Sequence, residues 1–416
     1  MERYGERPEL VSAGSDERLG RPVFDAVAAH QAEARDWPRR WQALCDPEDR
    51  PGRGRTGPGG QSAHRKREAG GEDHGVAWHR RSIAAAASRL AVAGPRPLIL
   101  ARPEPADAVT DALASIIDFI RYAASRFAAA ELTFGHSHDN ALDEASHLVL
   151  AGLRLPPDLP PAYGQARLTA AERLRVLDLI ERRIGTRVPT AYLVGEAWFA
   201  GMKFKCDARA LVPRSPIAEL IENGFAPWLE DRAVERALDL CTGSGCIGIA
   251  MAAHNPDWQV DLADVSPAAL ELARENIAFQ HVGDRVRAVE SDLFSALADL
   301  RYDLIVSNPP YVTEAEYAAM PGEYAHEPRL GLAAGVDGLD VVLRILRDAA
   351  AHLTDEGLLI VEVGEAEHAL SALLPALPLV WLEFKVGAMG VFAIDRRALL
   401  AHAGEIAEAA ARVESR

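Results

Sequence analysis

The sequence predicts an α/β fold: a doubly wound, mostly parallel sheet of seven strands that ends in an antiparallel hairpin and follows a small helical region. Three observations carry this. From Arg236 onward, short apolar runs alternate with stretches of helical period, the pattern of a parallel sheet covered on both faces. The last two runs are joined only by Lys385–Ala388, too short for a crossover, so they pair antiparallel. Before residue 188 the apolar residues instead recur every three or four positions.

The strands are placed at Ala237–Leu240, Gln259–Ala263, Arg285–Val289, Leu304–Ser307, Leu358–Val363, Val380–Phe384 and Met389–Ile394. In the helical region, 106–188, one stripe runs through Leu113, Ile116, Ile117, Ile120 and Phe127, and a second through Leu174, Leu177, Ile180 and Ile184. Residues 189–212 hold short aromatic and β-branched runs split by glycines, which reads as a β-hairpin linker. The sheet domain spans 213–402, and 403–416 is left as a tail. Residues 1–105 read as an extension. Its stretch from Arg50 to Gly75 is rich in glycine, arginine and charge, and it holds too little apolar surface to offset chain entropy, so it is expected to be disordered.

The net charge of -16 disfavours non-specific adherence to phosphates and favours basic partners. Cys45, Cys206, Cys241 and Cys246 form no CxxC pair and no zinc spacing, so no metal is expected and a reducing cytoplasm fits. No apolar run approaches the ~20 residues of a membrane span, and the charged start has no apolar segment behind it.

Two segments carry chemistry. The first, ALDLCTGSGCIGIAMAA, reads as strand, glycine turn and helix. Gly243 and Gly245 let the backbone approach a ligand without a Cβ clash. Asp264, at the end of the next strand, can accept both hydroxyls of a ribose. Asp239 ahead of the loop would repel a pyrophosphate, but it suits a ligand that carries a sulfonium and an ammonium. The loop therefore favours S-adenosylmethionine over a nicotinamide dinucleotide. A plain glycine turn with solvated strand-end carboxylates is the bland alternative.

The second segment is YDLIVSNPPYV. Asn308, Pro309, Pro310 and Tyr311 follow a buried strand at the end where open α/β sheets bind ligands. The prolines remove backbone donors and fix φ. The Asn308 side-chain oxygen and the Pro309 carbonyl can each accept one N–H of an –NH2 group, and Tyr311 offers a face to a planar acceptor. Such a group is a poor nucleophile because its lone pair is delocalised. Holding both N–H bonds orients the lone pair and stabilises the charge that builds on nitrogen. This is a strong sign of N-methylation, but it does not separate adenine from glutamine.

On these residues the chain resembles the glutamine-N5 methyltransferases, and within them the branch acting on ribosomal protein uL3. The resemblance runs from about Asp107 to Ala401 and includes AYLVGEAWFAGMKF, LVPRSPIAELI, LDLCTGSGCIGIA, SDLF, NPPY and HEPRLGLAAGVDGLD. It implies a Rossmann-like class I methyltransferase fold with a small helical domain in front. It also implies that Asp239, Thr242, Gly243, Ser244 and Gly245 line the cofactor's methionine end and that Asp264 holds the ribose. Asp292 and Leu293 would flank the adenine, and Asn308 to Tyr311 would hold the acceptor amide, with Asn308 also among the residues that touch the cofactor. Arg214 and Glu327 would shape the acceptor channel, with a surface salt bridge as the alternative for Arg214. His281 and His326 are read as structural.

Three other functions are weighed. A release-factor glutamine methyltransferase shares the chemistry with a different docking surface. An adenine-N6 methyltransferase needs a basic groove, and the residues from 106 on carry more acid than base. A non-enzymatic ribosome-assembly module would not need Asp264 and NPPY intact. The extension contains Gly59-Gly60-Gln61, the tripeptide that the release-factor branch methylates, but in so glycine-rich a stretch chance explains it.

Overall fold

Capping chemistry starts the helices at the amino-terminal end. In α1 (Ile116–Ala129) Ser115 and Asp118 form a reciprocal capping box, and in α3 (Ala170–Thr186) Thr169 and Glu172 form another. Between them α2 (Ala141–Leu153) is capped by Asn140, and α4 (Thr190–Val194) is a short turn of helix. The structure is a computed structural model that describes residues 112–414 apart from 231, 386 and 388. The expectations for 1–105, Gln61 among them, fall outside the described residues. From Leu113 onward the described residues belong to one compact unit.

The buried face of α3 differs from the expected stripe. Leu174 is exposed, and the inward residues are Val176, Leu179, Ile180 and Arg183. The face is rotated because Arg183, fully buried, donates to Glu144 of α2 (2.5 Å) and to the Thr133 carbonyl. A charge placed inward for a partner on another helix is invisible to apolar periodicity.

The hairpin is narrower than expected: β1 (Glu196–Phe199) and β2 (Met202–Lys205) are antiparallel. They are joined by Ala200 and Gly201, both at positive φ (45° and 73°), the conformation that matches the twist of a two-residue hairpin. After α5 (Ile217–Glu222) the main sheet begins. Its elements are β3 (Arg236–Leu240), α6 (Cys246–His254), β4 (Gln259–Asp264), α7 (Pro267–Phe279), β5 (Val286–Glu290) and β6 (Tyr302–Ser307). There follow α8 (Glu314–Ala319), α9 (Asp340–His352), β7 (Leu353–Glu362), α10 (Glu367–Leu373), β8 (Val380–Trp381), β9 (Val391–Asp395), α11 (Arg396–Ala401) and α12 (Ala403–Glu414).

The seven strands lie in the order β5-β4-β3-β6-β7-β9-β8, and β9 alone runs against the others. Alternation along each strand builds two cores. Ala237, Val260, Leu304, Val306 and Ile360 face α5 and α6, whereas Leu238, Leu240, Ile305, Leu359 and Val361 face α9, α11 and α12. Within 403–416, read as a tail, residues Ala403–Glu414 instead form α12, which seats Ile406, Ala409 and Ala410 in the second core. Its apolar period is short and alanine-rich, so it stands out poorly in sequence. Among the described residues no helix is long and apolar enough to cross a membrane.

Candidate active site

Register brings the functional strand ends together. Leu240 of β3 pairs with Ala263 of β4 and with Ser307 of β6, and Ser307 pairs with Val361 of β7. The next residues along these strands, Cys241, Asp264, Asn308 and Glu362, therefore stand side by side at the carboxyl edge. Strand order reverses between β3 and β6, so this is the topological switch point where open α/β sheets form a crevice. A cavity of about 700 Å³ opens there. Its walls include Thr242, Gly243, Ser244, Asp264, Asp292, Leu293, Asn308, Pro309, Pro310, Tyr311 and Arg214.

The glycine loop is shaped from below. Asp239 is fully buried, and one of its oxygens accepts the Thr242 hydroxyl (2.5 Å) and the Gly248 N–H (2.8 Å). The other oxygen has no hydrogen-bond partner. Burial pushes this carboxyl up to about 7, against the pull of those two donors. The sequence reading put Asp239 and Gly245 on the cavity wall, but both stand behind it. Asp239 is occupied with the loop backbone, and the space a Gly245 side chain would need is taken by Ile249, Leu262 and Ala273. Gly248 is tighter still, since a Cβ there would lie 2.1 Å from Leu262 and 2.8 Å from the Asp239 Cβ. Asp264 accepts the Gly243 N–H and the Ser266 N–H, one on each oxygen, each at 2.8 Å, and burial raises its pKa. Asn276 of α7 is buried and donates to the Ser244 carbonyl (2.9 Å), so it fixes the far side of the loop.

Asp292 and Leu293 line the cavity, Leu293 in the left-handed region at φ 49° with its carbonyl held by the Ser291 hydroxyl. The Asp292 carboxylate is engaged by Arg344, 2.9 Å to each oxygen, a partner that sequence gave no sign of.

Around the NPPY turn, Pro309 is buried, and Asn308 and Tyr311 are half-buried. The Val312 N–H donates to the Leu332 carbonyl and the Ala334 N–H to the Val312 carbonyl, which packs HEPRLGLAAG against the turn. Gly338 (φ 74°) is required there, because a Cβ would sit 2.2 Å from the Tyr311 carbonyl oxygen. Arg214 and Glu327 form a two-pronged pair at 2.7 and 2.8 Å. Glu327 is 3% exposed and also accepts the Val212 N–H, so this is a buried clamp and not a surface salt bridge. Glu327 itself is not on the wall and acts through Arg214. Burial alone would lower the Arg214 pKa, but the hydrogen bonds and charge of Glu327 outweigh it and raise it. His326 contacts the Thr186 carbonyl, in keeping with a structural role.

Glu362 and Ser215 also line the cavity, and the sequence reading passed over both. A signal existed for Glu362: it is an acid at the carboxyl end of an otherwise apolar strand, LLIVEV, in line with Asp264 and Asn308.

The methyltransferase small domain family matches residues 223–322, the segment that holds the glycine loop, Asp264 and NPPY. A ribosomal protein uL3 glutamine methyltransferase of Xanthomonas campestris pv. campestris is 63% identical over 303 residues, covering 73% of this chain and 98% of its own. The chain belongs to the ribosomal protein uL3 glutamine methyltransferase family. Other members include that of Xylella fastidiosa, 62% identical over 73% of this chain and 97% of its own, and that of Bordetella pertussis, 51% identical over 65% and 91%. As a family member, this protein is a methyltransferase, and its sheet order and strand-end cavity are the expected scaffold.

Proposed function

We propose that this methyltransferase uses S-adenosylmethionine to methylate the side-chain amide nitrogen of a glutamine in ribosomal protein uL3. The observation that carries the reading is a single cavity walled both by the Thr242–Ser244 loop with Asp264 and by Asn308–Tyr311. It occurs in a chain 63% identical to a relative named for that reaction.

The residues fit the cofactor. The Asp239 and Asp264 carboxyls flank the loop, Asp239 keeps an oxygen without a partner, and Gly243 at φ 56° keeps side-chain bulk out of the crevice. That donor set suits a cation and opposes a phosphate. When bound, S-adenosylmethionine supplies an electrophilic methyl group on a sulfonium. Thr242, Gly243 and Ser244 would hold its methionine end, Asp264 its ribose, and Leu293 and the Asp292 backbone its adenine.

At the acceptor side, the Asn308 oxygen and the Pro309 carbonyl each take one N–H of the glutamine amide. The lone pair is thereby directed at the methyl, and the charge growing on nitrogen is stabilised. Tyr311 flanks the amide plane. The methylated nitrogen then loses one proton, which needs no strong base. The buried Arg214–Glu327 clamp keeps the wall rigid and sets the channel width.

Incubating the protein with S-adenosylmethionine and, separately, uL3, a release factor and an adenine-containing oligonucleotide tests the reading. Methyl transfer to uL3 alone is expected, whereas transfer only to either of the others removes the substrate assignment.

A pH dependence follows from Asp239. A cation bound above the loop favours its ionised form, so binding releases a proton and affinity rises as pH climbs through about 7. Calorimetry from about pH 6 to about pH 8 should show this, and Asp239→Asn should flatten it. Folding responds in the opposite direction. Because folding raises its pKa above the ordinary carboxyl range, Asp239 contributes stability at acid pH and loses it as pH rises through about 7.

A further inference from the structure

Glu362 ends β7 and is 6% exposed, yet it walls the cavity. Its two oxygens are used by two different segments: Oε1 accepts the Tyr311 hydroxyl (3.0 Å) and Oε2 accepts the Ser215 hydroxyl (2.5 Å). Tyr311 belongs to the NPPY turn after β6, and Ser215 belongs to the RSP segment ahead of α5, next to the Arg214 clamp. The Tyr311 ring is boxed in as well. A Cβ on Gly364 (φ 48°) would lie 2.7 Å from its Cε2, and one on Gly390 would strike the Gly364 backbone at 2.2 Å. The ring therefore packs on the Gly364 backbone, itself backed by Gly390, with its hydroxyl tied at the far end.

We infer that Glu362 is a positioning residue for the methyl acceptor, a double acceptor that locks the Tyr311 ring and ties the NPPY turn to the Arg214–Ser215 segment. A carboxylate suits this because it accepts on both oxygens, whereas an amide must turn a donor toward one of the two hydroxyls. A hydrogen bond to a charged group is among the stronger ones, so losing it is felt at the ring. The inference rests on the reading that Tyr311 flanks the acceptor. The groups facing Glu362 are Ser215, Tyr311 and Arg214. Burial pushes Glu362 up to about 7 against all three, so the clamp weakens as the carboxyl takes a proton.

The test is a double-mutant cycle of Glu362→Gln and Tyr311→Phe, read on whichever acceptor the wild type methylates, so that a wrong acceptor does not affect it. Glu362→Gln should lower kcat roughly ten- to hundredfold with the cofactor Kd unchanged. It should also remove the acid limb of the kcat–pH profile, and it should have little further effect once Tyr311 is Phe. Additive losses, or a cofactor Kd that moves as much as kcat, would overturn the inference. Ser215→Ala tests the other arm and should lower kcat in the same direction; an unchanged kcat counts against the clamp. A readout free of turnover uses tyrosine labelled at ring Cζ. Glu362→Gln should shift the Tyr311 resonance and leave that of Tyr192, which donates to the Ala210 carbonyl, in place. A Tyr311 signal that stays where it was would overturn the inference even if no acceptor were methylated.

Discussion

Replacing Asn308 with alanine is expected to lower kcat by about 10²–10³-fold, the cost of removing one preorganised polar partner from a developing charge. The loss should fall on kcat and kcat/KM together, because the interaction strengthens as charge builds on the amide nitrogen. Cofactor affinity should stay close to that of wild type, since the glycine loop is held by Asp239, Asp264 and Asn276 and not by Asn308. Single-turnover rates beside calorimetric cofactor binding check both halves. A variant that binds cofactor poorly but turns over normally once saturated would place Asn308 on the wrong side of the site.

Replacing Arg214 with methionine is expected to destabilise the fold by about 3–5 kcal/mol, the range for removing one member of a buried ion pair. Glu327 would keep its Val212 N–H but lose both guanidinium contacts while enclosed. His136 lies 3.7 Å away, but burial lowers its pKa, so it makes a poor substitute cation at neutral pH. Urea unfolding measures the effect. Adding Glu327→Gln should return most of the loss, because the double variant leaves no unpaired charge. If the two losses simply add, the clamp is not the reason for the burial.

The sheet was legible because its evidence is local. Each strand is a short apolar run, and a connection too short for a crossover dictates the one antiparallel return, although β8 ends at Trp381 and β9 begins at Val391, so the segment that joins them is longer than Lys385–Ala388. NPPY and the glycine loop were legible because the chemistry is written in consecutive residues. What could not be read depends on residues far apart in the chain. Arg183 turns inward only because Glu144 waits on another helix, and Arg344 meets Asp292 across 52 positions. Asp239 reads as a wall residue because its type and place suit a ligand, whereas it lies behind the loop with one oxygen serving both the Thr242 hydroxyl and the Gly248 N–H. Glu362 was passed over because a lone acid after an apolar strand carries no motif. Only the register, with Ser307 opposite Val361, sets it beside Asn308.

The most direct test of the central claim is tandem mass spectrometry of uL3 after incubation with the enzyme and S-adenosylmethionine, beside the Asn308→Ala variant. The proposed function predicts a mass gain of one CH2 that fragment ions assign to a glutamine side chain, present with wild type and lost with the variant. A methyl placed instead on a lysine, an arginine or the amino terminus of uL3, or one that forms at the wild-type rate with the variant, would contradict it.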